Sequence, residues 1–186
     1  MASPKINQLL AEAKTASDQA AAYDSLLENL KSHSTPTTVV ADMKAIASSI
    51  FSNDLRVVAL RSVLERFIAV LRDFDNADLS VEVGQYTLDT IAAQPSATFL
   101  DQVASLRTLM ADAHESNEDF LEAAKVLSEI PLDAAQRKVT DEDRVGIWVR
   151  IVRNYLEVDD TTSAETYLNK LKNVIFAVSD PNLNLH

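Results

Sequence analysis

The chain has 186 residues, 47% of them apolar and 24% charged, with a formal net charge of −11. That is globular composition, long enough for one domain or two small ones. Two glycines and no cysteine exclude Gly-rich phosphate loops, disulfide scaffolds, thiolate zinc sites and cysteine nucleophiles, and leave too few turn residues for a sandwich or barrel.

The acidity repels phosphate backbones and anionic lipid, so neither nucleic acid nor membrane is expected as a partner. Divided after Ala93, the halves carry −4 and −7. No apolar run approaches the roughly 18–20 residues that span a bilayer. No apolar stretch follows Met1, Ala2, Ser3, Pro4 and Lys5, so no signal peptide is expected and the chain reads as soluble and intracellular.

Nearly every segment reads as helix. Ser3 followed by Pro4 is a cap with proline at the first helical position, and Ile6, Leu9, Leu10 and Ala13 repeat at helical spacing. A helix over 18–31 follows, with Tyr23, Leu26, Leu27 and Leu30 on one face. Residues 32–36 read as a loop ending in a second cap-plus-proline start, at Thr35 and Pro36. The next helix carries Val39, Val40, Met43, Ile46, Ala47 and Ile50.

A helix over 55–71 is apolar nearly all round, with Arg61, Glu65 and Arg72 as one narrow polar stripe; burial on more than one side is expected. Further helices are expected over 79–93, 98–115, 118–129 (capped by Asn117), 141–157 and 163–177. Thr140 with Asp143 resembles a capping box, and Thr162 with Glu165 is another. In the helix over 141–157, Val145, Trp148, Val149, Val152, Tyr155 and Leu156 form the apolar face, widened by Ile147 and Ile151. Asp143, Gly146, Arg150, Arg153 and Glu157 are expected to face solvent.

A repeat appears in the second half. A shift of 41 carries Asp119, Ala123, Leu127 and Ile130 onto Asp160, Ala164, Leu168 and Leu171, and Met110 and His114 onto Ile151 and Tyr155. The physical reading is a turn aspartate capping the second helix, an alanine allowing close approach, and Leu or Ile filling the gap. Tetratricopeptide-type and HEAT-type arrays use this logic at periods of roughly 34 and 40–47 residues. The first half shows no clean copy. The expected fold is therefore all-α, a right-handed superhelical stack of antiparallel helix pairs.

Candidates for catalysis are few. His33, His114 and His186 have no metal-ligand spacing, and a packed role is expected for His114. Asp141, Glu142 and Asp143, like Asp159 and Asp160, stand at helix N-termini, where negative charge offsets the macrodipole. Residues 73–78 lack the glycine and closing glutamate of a calcium loop. Trp148 reads as core. No cofactor and no enzymatic activity are expected. The basic residues Arg137, Lys138, Arg144, Arg150 and Arg153 concentrate in the more acidic half. They read either as a solvated stripe or as a docking patch for an acidic partner.

Three stretches carry a resemblance. Phe99, Gln102, Val103, Ala104, Ser105 and Arg107 form the first. The second is Glu118, Asp119, Ala123, Ala124, Val126, Leu127, Ile130, Pro131 and Leu132. The third is Ile151, Arg153, Tyr155, Leu156, Glu157, Asp159, Asp160, Ala164, Glu165, Tyr167 and Asn169. Together they resemble the N-terminal helical-repeat region of the fourth-subunit family of the COP-nine signalosome, most specifically over 95–170. The fifth subunit of the proteasome lid is the near relative.

The resemblance implies a non-catalytic scaffold that helps hold cullin–RING ubiquitin ligases while a separate metalloprotease subunit carries out cullin deneddylation. It implies other signalosome subunits as partners and a cytoplasmic and nuclear location. It also implies that residues 1–178 are a repeat array and 179–186 a linker stub before further repeats and a PCI domain, so the sequence reads as a fragment. A small helical enzyme and an unrelated peptide-binding helical adaptor are the alternatives from other classes.

Overall fold

The computed structural model describes residues 1–52, 55–94 and 98–174, and every regular element among them is a helix. They are α1 Pro4–Thr15, α2 Gln19–Glu28, α3 Leu30–His33, α4 Val39–Ser52, α5 Val57–Asp73, α6 Ala77–Ala92, α7 Leu100–Ser116, α8 Phe120–Ser128, α9 Asp141–Glu157 and α10 Thr161–Val174. The all-α, paired architecture expected from the sequence is what the chain adopts. The expected boundary at 178 and the stub over 179–186 lie outside the described residues. The chain divides into two compact units, Met1–Leu106 and Arg107–His186.

Helix starts follow from local chemistry. The Ser3 hydroxyl accepts from the Ile6 N–H at 3.3 Å, with Pro4 at the first helical position. Asp18 and Asn76 cap α2 and α6 in the same way, at 3.0 and 2.9 Å. The chain after Pro36 needs one more turn than the sequence suggests. Thr38 and Val39 both donate backbone N–H to the Thr35 carbonyl, so α4 opens at Val39. The expected helix over 18–31 is interrupted at Asn29, and α3 runs on into the expected loop as far as His33.

In the first unit α1 packs on α2 and α4, α2 on α5, and α4 on α5 and α6. This is the connectivity of two rows, α1–α4–α6 and α2–α5, cross-linked by the sequential pairs. Its core is built of Ile6, Tyr23, Leu27, Leu30, Met43, Ile46, Ile50, Leu64, Phe67 and Leu71, all essentially inaccessible. The expectation for α5 needs correction. Arg61, Ser62, Glu65, Arg66, Ala69 and Arg72 are all exposed, together with Val57 and Val58. The helix is therefore buried on one side only, through Leu60, Val63, Leu64, Phe67, Ile68, Val70 and Leu71.

One buried charge ties the first unit together. Asp42, inaccessible on α4, accepts the Ser3 N–H at 2.6 Å and the Ser34 hydroxyl at 2.8 Å, so one carboxylate anchors the start of α1 and the end of α3. Burial pushes its carboxyl up, but donation by Ser3, Ser34 and Thr38 outweighs this and holds it below the ordinary value of 3.8. Its stabilising contribution is thus present above about pH 4 and lost as the pH falls below that. Asp42→Asn should cost about 1.5–2 kcal/mol near neutrality. Chemical denaturation at pH 7 and at pH 3 should show the gap between variant and native narrowing at the lower pH.

In the second unit α8 packs on α9, and α9 on α10. The shift of 41 read from the sequence carries α7 (100–116) onto α9 (141–157) and the first residue of α8 (120) onto that of α10 (161). The turns share their left-handed residue and the two bonds that close them. Glu118 and Asp159 both take a φ of 58°. The Asp119 N–H reaches back to the His114 carbonyl at 2.8 Å, as Asp160 does to Tyr155 at 2.9 Å. Glu118 and Asp159 donate to Glu115 and Leu156, both at 3.1 Å, completing a Schellman closure in each copy.

The left-handed residue and the shorter bond of this turn occur a third time, where the sequence shows no clean copy. α5 (57–73) and the start of α6 (77) lie 43 residues before α7 and α8; Asp75 has a φ of 48° and donates to Arg72 at 3.1 Å. Side chains hide this copy: the position of Ala123 and Ala164 is taken by Ser80, buried but polar.

Candidate docking surface

α9 opens with the expected capping box: the Thr140 hydroxyl accepts from the Asp143 N–H at 3.1 Å, and the Asp143 carboxylate accepts the Thr140 N–H at 3.1 Å. At α10 the turn aspartate of the repeat does the capping: Asp160 accepts the Ser163 N–H at 3.0 Å and its hydroxyl at 2.6 Å, and the capping box expected from Thr162 does not open the helix. In the other copy Asp119 stands at the N-cap of α8 without a side-chain capping bond. α8 begins at Phe120 after Asp119, so Asn117 is not its cap. The Asp119 carboxylate instead meets His114 Nδ1 at 3.2 Å, and His114 is half-buried, as its repeat position suggests.

The packing positions read from the repeat are in the core: Ala123, Leu127, Ile130, Ala164 and Leu171 are buried, and Leu168 is half-buried. A further correspondence appears only in three dimensions. Arg107 of α7 pairs with Glu129 after α8, and the same shift of 41 gives Trp148 with Lys170, whose ammonium lies 5.8 Å from the indole centroid. A salt bridge in one copy is a cation–π contact in the other. Lys170 also sits 4.7 Å from the Tyr167 ring, which stacks on Tyr155 with centroids 6.2 Å apart.

The five basic candidates do not form one strip. Arg150 is not on a solvent-facing strip. Its guanidinium holds both Glu115 oxygens at 2.8 Å, through Nε and Nη2, and Nη2 also reaches Asp112. The Asn154 amide, itself buried, adds 2.7 Å to Glu115 and 3.0 Å to the Arg150 carbonyl. This ties the C-terminal half of α7 to α9. Burial pushes the Glu115 carboxyl up, but hydrogen bonds from Arg150 and Asn154 and the nearby Arg150 and Arg153 charges bring it below its ordinary value. Arg150 is raised, because the two carboxylates outweigh its own desolvation. Arg144 is bound locally, 2.9 Å from Asp141 and 3.9 Å from Asp133. Arg153 and Lys138 are exposed and carry no ion pair among the described residues, while Arg137 is half-buried in the loop before α9.

Glu115, Phe120, Arg150, Arg153, Asn154 and Glu157 line a cleft of about 200 Å³. That is below the roughly 300–1,000 Å³ of small-molecule sites. Among the described residues no three of His, Cys, Asp and Glu gather so as to hold a metal ion, and no helix is long and apolar enough to cross a membrane. Asp112 and Glu115 were not legible as partners of Arg150. The repeat carries them onto Arg153 and Leu156, so comparison of the two copies conceals the contact.

Residues 2–186 match the family model described as PSMD12/CSN4, N-terminal. The chain is 41% identical to COP9 signalosome complex subunit 4 of Neurospora crassa over an alignment covering all of this chain and 47% of that protein. It is 37% identical to the protein of the same name from Emericella nidulans, again over the whole chain and 46% of the relative. The Dictyostelium discoideum subunit 4 is 30% identical over 97% of this chain and 45% of its own length. The chain thus spans about half the length of the curated relatives it matches. With the helix-pair geometry, the match over nearly every residue places this chain in the PSMD12/CSN4 N-terminal family.

Proposed function

We propose that the chain is the helical-repeat scaffold of a COP9 signalosome subunit 4. In this reading it does no catalysis and helps hold cullin–RING ubiquitin ligases while a separate metalloprotease subunit deneddylates the cullin. The observation that carries the reading is the identity of 37–41% across the whole chain to two proteins of that name. The surface supports it. Arg153 and Lys138 are exposed and present positive charge to an acidic partner, and Arg150 fixes the helix that displays Arg153. Contacts with other signalosome subunits, in the cytoplasm and nucleus, belong to the same reading and would run mainly through the part of subunit 4 beyond this chain.

The family model also covers PSMD12, so a proteasome-lid scaffold is the second reading. Immobilised chain offered purified cullin–RING ligase and purified proteasome-lid subunits separates the two. Retention of the ligase and not of the lid is the expected result. Retention of lid subunits alone overturns it.

A further inference from the structure

The first unit carries a second surface that the reading above does not use. All four of its arginines, Arg56, Arg61, Arg66 and Arg72, fall on α5 or its N-cap, against Glu65 and Asp73 as the only carboxylates of that stretch. No basic residue occurs between Arg72 and Arg107. In a chain of net charge −11 this is a local excess of positive charge. The same helix holds Val57 and Val58, 50% and 79% exposed, the most exposed large hydrophobic residues after Met1.

Helical geometry aligns these groups. Val58, Arg61, Ser62, Glu65, Ala69 and Arg72 recur at three- and four-residue steps and are all exposed. They form one stripe about 21 Å long at 1.5 Å per residue. The stripe is low in the middle, where Ser62 and Ala69 are small, and has an apolar end at Val58. Glu65 keeps its charge while accepting the Gln102 amide at 2.9 Å, so along the stripe Arg61 and Arg72 face one carboxylate and leave a net positive charge. Arg61 spends only its Nε on the Thr98 carbonyl, at 2.8 Å, and the Arg66 contact with Glu28 is loose at 4.0 Å. Arg56 and Arg72 carry no ion pair among the described residues.

We infer that the outer face of α5 is a docking surface for an acidic segment of a partner protein, one that sets an apolar side chain against Val58 and carboxylates against Arg61 and Arg72. Arginine is the cation enriched at protein interfaces, and its forked guanidinium binds carboxylates in pairs. A nucleic acid would also meet positive charge here, but its phosphate backbone has no apolar side chain to set against Val58, which is 79% exposed. The inference is independent of the signalosome reading, since it uses only the charge and exposure of α5.

The test is fluorescence anisotropy with the 186-residue chain and a labelled glutamate-rich 14-residue peptide carrying one leucine near its end. Saturable binding should weaken about tenfold in Arg61→Glu/Arg72→Glu, and about twofold to threefold in Val58→Ser, with circular dichroism and melting unchanged. The control Lys5→Glu/Lys14→Glu makes the same change in net charge elsewhere in the unit and should leave the affinity within about twofold. Equal losses in both charge-reversed pairs would reduce the effect to net charge and overturn the proposal. So would no saturable binding, or a DNA duplex of equal length binding as tightly as the peptide.

Discussion

Replacing Arg150 by glutamate should destabilise the second unit by about 3–5 kcal/mol, whereas Arg153→Glu, three residues on, should change stability by no more than about 0.5 kcal/mol. Both arginines come from the same short stretch of α9. Arg150 is held by Glu115 and Asp112, and its side chain is only 26% exposed. Reversal would set three carboxylates against each other and leave the buried Asn154 amide in a distorted network. Arg153 is exposed and unpaired among the described residues.

Thermal unfolding followed at 222 nm reads this directly, and equal midpoints for the two variants would show that the α7–α9 tie carries no stability. The tie has a pH signature too. The folded Glu115 carboxyl lies below its ordinary value of 4.5, so the stabilisation is complete above about pH 5 and fades as the pH falls below that value. The Arg150 side lies far above neutrality and gives no change in that window.

Enlarging the alanines at the helix crossings should be the next largest effect. Ala123 and Ala164 are buried at equivalent positions of the two copies, on α8 and α10, the helices that pack on α9. Ala123→Leu and Ala164→Leu add three carbons where no space remains, at a cost of about 1–3 kcal/mol each. At roughly 2–4 °C per kcal/mol for a chain of this size, either variant should melt several degrees below the native chain. Their surface neighbours Glu122 and Glu165 offer controls of the same helices, and Glu165→Leu should be nearly neutral. Unchanged melting in both alanine variants would mean that these residues do not set the distance between the helices.

What could be read from the residues was periodicity and its breaks. α9 was expected over 141–157 and occupies those residues, because a capping box fixes one end and the apolar rhythm runs unbroken to the other. Starts are ambiguous in sequence where cap residues compete: the repeat points to Asp160 and a capping box to Thr162, and Asp160 prevails because it stands directly before α10, while Thr35 needs an extra turn before α4. The copy at α5 and α6 leaves no mark in the residue pattern because its defining feature is a backbone conformation. Asp75, Glu118 and Asp159 all turn left-handed without a glycine to announce it. The basic cluster was visible as composition. Its division into a buried tie and exposed cations was not, since that depends on which carboxylates α7 brings opposite α9. The Asp42 clasp rests on a contact across 39 residues, which periodicity does not encode.

Docking of a cullin–RING ligase on exposed cations of the second unit is the proposal on which the function rests. It is tested most directly by biolayer interferometry of the immobilised chain against the purified ligase from 50 to 300 mM salt, with native chain and Lys138→Glu/Arg153→Glu side by side. Exposed charges are screened over roughly 8–10 Å at physiological ionic strength. Binding should therefore weaken steadily with salt, and the double variant should associate about tenfold more slowly while melting like the native chain. An affinity that is flat across the titration and equal in both chains would contradict the account.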